Sequence, residues 1–168
     1  ESASWILFTD APAFDRHYPR FGGGVPYHWI KTPLEANDTS ALHVVEVAGP
    51  TCPIPWGDVQ PAAGERAIAY LNSASNAALQ GEIAAIVTAP VHKSAIDKSF
   101  KGQTEYLAEQ AQTSRFAMSF FTPTFKVVLA TVHLSLREAL AKLSTTLYVD
   151  LIHLVAEEFR RFGFSNPS

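Results

Sequence analysis

The sequence predicts a layered α/β domain built on a largely parallel sheet. Strand-like apolar runs alternate along the chain with segments whose apolar residues recur every three to four positions, the signature of an α/β layer architecture. The runs at 83–87 and 127–132 also lack polar alternation, as strands covered on both faces do.

The elements follow in order. Residues 5–9 read as a buried strand, and Asp10-Ala-Pro12 starts a short helix. Phe14, Tyr18 and Phe21 share one face of it. Gly22-Gly23-Gly24 ends it, residues 27–30 form a short strand, and 32–40 are polar and loop-like. Residues 42–47 form a further strand. Residues 49–64, rich in Pro and Gly around Trp56, form an irregular connection. The helix at 65–79 places Ile68, Leu71, Ala74, Ala78 and Leu79 on one face, and Gly81 supplies a left-handed residue after it. The strand at 83–87 follows, then a helix at 104–112 and the strand at 127–132. Ser135-Leu-Arg-Glu138 is a capping box that opens a helix through Leu143. Thr145 or Thr146 caps a long helix carrying Leu147, Leu151, Ile152, Leu154, Val155, Phe159 and Phe162, closed by Gly163. No internal repeat or low-complexity segment interrupts this series.

Composition bounds the function. The 168 residues are 47% hydrophobic and 17% charged, enough to bury a core in one domain or part of a larger one. A net charge of −3 without long Lys or Arg runs argues against a nucleic-acid or anionic-membrane partner. No apolar segment approaches the ~20 residues that span a bilayer, and no basic-then-apolar leader is read at the start. The single cysteine, Cys52, excludes an internal disulfide and a multi-cysteine metal site, so a reducing cytoplasm is the expected home. A series that opens in a strand and stops after a helix reads as cut from something longer.

The chemistry gathers between residues 81 and 133. The first covered strand delivers Thr88, His92 and Lys93, and the second delivers Thr131 and His133. Between them Gly102-Gln-Thr-Glu105 opens a helix. Strand ends and a helix start that share one crevice are how open α/β sheets build a ligand site. His133 reads either as a divalent-metal ligand or as a capping or buried hydrogen-bonded histidine. Gln103 and Thr104 stand where free N–H groups and the positive dipole end favour an anion, although Thr104 reads first as a helix cap. Lys93 reads as a partner for phosphate or carboxylate or as an aid to proton transfer, or His92 and Lys93 are a solvated loop pair. His17, His28, His43 and His153 need no more than surface or packing roles, and Glu157-Glu158 with Arg160-Arg161 read as a solvated face. The GxGxxG, Walker A, HExxH and GxSxG signatures are absent.

Three ordered motifs carry a resemblance. Thr88-Ala-Pro-Val-His-Lys93, Gly102-Gln-Thr-Glu-Tyr-Leu-Ala-Glu109 and Leu129-Ala-Thr-Val-His-Leu-Ser-Leu-Arg137 resemble those of the 4-hydroxythreonine-4-phosphate dehydrogenase family. That family's pattern is T-[GA]-P-[VI]-[HN]-K, G-H-T-E-[FY]-L-A-E and L-A-T-T-H-[LI]-P-L-R. Close similarity covers residues 65–163. The resemblance implies an αβα sandwich related to isocitrate and isopropylmalate dehydrogenases, working as a homodimer. It implies NAD-dependent oxidation of 4-phosphooxy-L-threonine on the route to pyridoxal phosphate, with decarboxylation of the β-keto acid formed. It also implies a divalent metal (Zn, Mg or Co) held by three histidines, acting as a Lewis acid, at a site between domains completed by the other subunit.

Carried over by position, His133 matches the first metal histidine and Thr104 the substrate-binding threonine. Gln103 stands in place of a substrate-binding histidine, keeping a donor and an acceptor without the cation. The family's opening G-D-P-x-G-I-G-P-E segment, its N-P-H-A-G-E-G-G segment and its NAD-binding half have no counterpart here, and residues 93–102 are shorter than in the pattern. The expectation is one incomplete α/β domain over residues 1–168, inactive alone, from a longer enzyme. Gln103 leaves open a paralogue acting on another four-carbon phosphorylated hydroxy acid, and the missing histidines leave open a non-catalytic remnant.

Overall fold

The computed structural model describes residues 3–49 and 54–164. Cys52 lies outside them. The chain divides into two compact units, Glu1–Gln112 and Thr113–Ser168.

The first unit is built on three parallel strands: β1 (Trp5–Thr9), β2 (Tyr27–Ile30) and β3 (Leu42–Glu46), in the order β1-β3-β2. β3 is the middle strand and carries the core, with His43, Val44 and Val45 buried. Asp10 caps α1 (Ala11–Phe21), its Oδ1 accepting the Ala13 N–H at 2.7 Å. That cap is worth about 1 kcal/mol. The helix buries Phe14 against the rings of Tyr18, Tyr27 and Trp29 at 4.8–5.2 Å, a burial worth ~1.5–3 kcal/mol. Gly23 and Gly24, at φ +59° and +75°, turn the chain toward β2. The loop at 32–40 holds one short 3-10 turn, Pro33–Glu35.

α2 (Pro61–Leu79) begins a turn earlier than the periodicity predicts, because Pro61 suits the first helical position. Its buried stripe includes Gly64, Leu71, Ala74 and Ala77. Gly81, at φ +75°, terminates it as expected. A 3-10 turn at Lys93–Ala95 and α3 (Gln103–Gln110) complete the unit.

The strand expected at 83–87 does not form. The segment is irregular and Val87 is 78% exposed. A strand exists only through a ladder, and no described strand pairs with this apolar run.

In the second unit β5 (Lys126–Val128) is shorter than the expected strand at 127–132. It pairs antiparallel with β4 (Ser119–Phe121), a strand the sequence reading missed. A tight local turn outcompetes a long-range parallel partner here. The Thr122 hydroxyl accepts the Phe125 N–H at 2.9 Å, and the Thr122 N–H donates to the Phe125 carbonyl at 2.9 Å. The predicted capping box opens α4 (Leu136–Lys142): Ser135 N–H donates to the Glu138 carboxylate at 3.0 Å, and Glu138 N–H to the Ser135 hydroxyl at 3.4 Å. Ser144, rather than Thr145 or Thr146, caps α5 (Thr145–Arg161). Gly163 ends it at φ +86°. Phe121, Phe159 and Phe164 cluster at 5.3–6.4 Å. No described residue of α5 is buried, and Ile152 is 65% exposed. Among the described residues no single helix is long and apolar enough to cross a membrane.

Candidate functional site

The first unit contains a cavity of about 780 Å³. It opens beside the end of β1 and is walled by one face of α2, residues 54–57 and residues 86–91. Its volume lies in the range of small-molecule sites. Most of the lining is apolar, with Thr9, Arg16, His17, Arg66, Tyr70, Thr88 and Gln103 as polar members.

Arg66 and Tyr70 of that lining form a buried polar cluster with Asp10. Asp10 is 6% exposed and Arg66 7% exposed, and the Arg66 Nε lies 3.5 Å from the Asp10 Oδ2. The Tyr70 hydroxyl donates to the same oxygen. Burial first, and then this hydrogen bond, push the Tyr70 phenol above its ordinary range. A raised value means that the neutral phenol is the favoured form. The contribution is therefore complete below the ordinary tyrosine range and lost as pH rises through the raised value. The sequence reading took Asp10 for a helix start and passed over Arg66 and Tyr70. The available signal was an arginine within an otherwise small and apolar helical stripe.

The expected site residues divide between the two units. Gln103 is the first residue of α3 and lines the cavity together with Thr88. Its Nε2 donates to the Ala89 carbonyl at 3.0 Å, tying the helix start to the segment that carries Thr88. Thr104 follows, half-buried, in the same first turn. Lys93 folds toward that turn, its Nζ donating to the Lys101 carbonyl at 2.5 Å and approaching Gly102, the residue that precedes α3. His92 is exposed and its Nδ1 is 2.8 Å from the Ser94 hydroxyl.

His133 lies in the second unit, exposed, at φ +55°. The helix caps nearby are Ser135 and Ser144, and the exposure of His133 does not fit the reading of a buried histidine. A non-glycine residue in the left-handed region is uncommon, and such strain concentrates at functional positions. Among the described residues no three His, Cys, Asp or Glu side chains converge as a metal site. His133 is a single donor, and a structural or catalytic zinc takes three or four protein ligands. The residues present therefore do not make a complete metal centre.

The start of α3 thus gathers the helix N-terminus, a hydroxyl, an amide bonded to the Ala89 carbonyl and an ammonium bonded to the Lys101 carbonyl, with the Glu105 carboxylate beside Gly102. Helix N-termini and groups of these kinds favour anions in general.

Comparison with known proteins shows the family. The family model described as pyridoxal phosphate biosynthetic protein PdxA matches residues 1–168. A 4-hydroxythreonine-4-phosphate dehydrogenase of Chromobacterium violaceum is 37% identical over 139 residues, 80% of this chain and 41% of the relative. A protein of Oceanobacillus iheyensis, whose name puts forward a D-threonate 4-phosphate dehydrogenase, is 36% identical over 115 residues, 67% of this chain and 35% of that protein. The crystal structure of the Klebsiella pneumoniae 4-hydroxythreonine-4-phosphate dehydrogenase superposes with a TM-score of 0.84 at 30% identity, over 96% of this chain and 51% of that one. This chain spans about half or less of the length of these relatives. The mixed α/β fold is the dehydrogenase fold of those structures, and the chain belongs to the PdxA family of pyridoxal phosphate biosynthetic proteins.

Proposed function

We propose that this chain is the phosphate-binding part of a longer NAD-dependent dehydrogenase that oxidises 4-phosphooxy-L-threonine in pyridoxal phosphate biosynthesis. The observation that carries the reading is the gathering of Thr88, Lys93, Gln103 and Thr104 at the start of α3. In this reading the substrate phosphate accepts from the first N–H groups of α3, the Thr104 hydroxyl and the Gln103 amide, with Lys93 as counter-charge. NAD, held outside these residues, would supply the hydride acceptor for the secondary alcohol, whose proton would go to a base also outside them. The resulting β-keto acid loses carbon dioxide. The divalent metal would polarise the reacting oxygen. His133 would be one of its ligands, the others coming from further polypeptide or a partner subunit in a cytoplasmic homodimer.

The 168-residue chain with NAD, a divalent metal and 4-phosphooxy-L-threonine should bind substrate without forming NADH. Steady NADH formation contradicts the claim that the catalytic apparatus lies partly elsewhere. Absence of substrate binding contradicts the phosphate site, and binding without turnover in the longest natural product of the gene marks a non-catalytic remnant.

A second reading has its own support. Gln103 stands where the family has histidine, and the Oceanobacillus relative carries a D-threonate 4-phosphate name. A neutral amide binds phosphate with a pH dependence set by the phosphate alone, whose second pKa is about 6. Gln103→His should therefore tighten phosphate binding by about tenfold below pH ~6.5, where imidazole is a cation, with little change at pH 8. Calorimetry at the two pH values checks this. The ratio of D-threonate 4-phosphate to 4-phosphooxy-L-threonine affinity then chooses the substrate.

A further inference from the structure

The start of α3 is built unlike those of α1, α4 and α5. These open on Asp10, Ser135 and Ser144, each of which caps its helix with a side-chain oxygen. α3 opens on Gly102, which has no side chain to cap with. The Gly102 backbone is extended, at φ 163°, so its conformation does not demand glycine. The space around it does. A Cβ there would lie 2.7 Å from the Glu105 Oε2 and 3.5 Å from the Lys93 Nζ. A carboxylate and an ammonium from two different elements thus face the position that glycine leaves open. The backbones on either side are anchored to α2. α3 buries Ala108, and its Tyr106 hydroxyl donates to the Asn72 Oδ1 at 2.6 Å. The 3-10 turn that carries Lys93 packs its Ala95 carbonyl directly against Gly64. A side chain at 102 would therefore displace the two charged side-chain ends and leave the helix in place.

We propose that Gly102 and Glu105 are positioning residues for Lys93. Glycine leaves the gap in which the Glu105 carboxylate and the Lys101 carbonyl together hold the Lys93 ammonium beside the first turn of α3. Lysine is a flexible point charge, and a lysine held in place before an anion arrives loses less freedom when the anion binds. The Gln103 amide is neutral, which leaves Lys93 to supply the counter-charge there. The identity of the anion rests on the functional reading above. The hold on Lys93 does not.

Two variants of the 168-residue chain test this. Gly102→Ala fills the gap, and Glu105→Gln keeps the shape of the side chain while removing its charge. The first readout needs no substrate: the rate at which acetic anhydride acylates Lys93, followed by peptide mass spectrometry with the exposed Lys142 of α4 as internal reference. Lys93 should react about threefold faster in each variant, the scale of a partly exposed ion pair. The amides of α3 should keep their hydrogen-exchange protection in Gly102→Ala. Calorimetry with 4-phosphooxy-L-threonine should show that variant binding about fivefold more weakly than the wild type. Unchanged Lys93 reactivity in either variant overturns the proposal. Loss of α3 protection in Gly102→Ala also overturns it, because the glycine then serves the packing of the helix. If the wild type binds 4-phosphooxy-L-threonine and Gly102→Ala binds it equally well, the positioning role fails and the phosphate reading stands. If the wild type binds none while Lys93 responds in both variants, the hold on Lys93 stands and the phosphate reading alone fails.

Discussion

At Asp10 one carboxylate serves three donors: the Ala13 N–H, the Tyr70 hydroxyl and the Arg66 guanidinium. Removing one partner of a buried ion pair strands the other, whereas removing both charges does not. Arg66→Ala should cost about 3–5 kcal/mol in urea denaturation, and the double variant Asp10→Asn, Arg66→Met much less. A similar loss in both would show that the pair's charge is not what matters. Part of this site was legible in the sequence and part was not. The helix start at Gln103 and Thr104 was legible because its signals are local. The Asp10–Arg66–Tyr70 cluster was missed because its members meet only after the strand and α2 pack. His133 was singled out by position. Its left-handed backbone is a tertiary fact with no sequence signal of its own.

Among the elements, local signals fared best. The Ser135–Glu138 capping box formed as read, and its hydrogen bonds to Ser135 hold the Glu138 carboxyl below the ordinary glutamate range. A lowered value means that the capping interaction is present above the ordinary glutamate pKa and is lost as pH falls through the lowered one. Carbon-detected NMR titration should give Glu138 a depressed midpoint, restored toward the ordinary value by Ser135→Ala. An unchanged midpoint in that variant would contradict the box. The start of α5 was misassigned by one residue, because Ser144, Thr145 and Thr146 are all competent caps and only the backbone chooses among them. The run at 83–87 failed for a deeper reason: strand formation depends on a neighbour that sequence periodicity does not contain. Close packing has a single-residue test in α2. A Cβ on Gly64 would collide with the Ala95 backbone carbonyl, which cannot swing aside as a side chain does. Gly64→Ala should destabilise the chain by about 1–3 kcal/mol despite the better helix propensity of alanine. Thermal unfolding checks the sign, and a stabilised variant would refute the contact.

For the whole molecule, each unit reads as a half-satisfied structure. The first has an open sheet edge and a cavity beside it, and the second has a long amphipathic helix without a buried residue. The fold class was legible because alternating strand and helix patterns survive in the sequence, whereas the extent of the sheet was not. The relatives are about twice the length of this chain or more. The central functional claim is that phosphate is held at the start of α3. It is tested most directly by titrating 4-phosphooxy-L-threonine into the 15N-labelled chain. The account predicts that the largest amide shifts fall at residues 103–105 and that Thr104→Val weakens binding by about tenfold, the loss of one charge-assisted hydrogen bond. Saturable binding whose shifts lie elsewhere, or which Thr104→Val leaves unchanged, would contradict it.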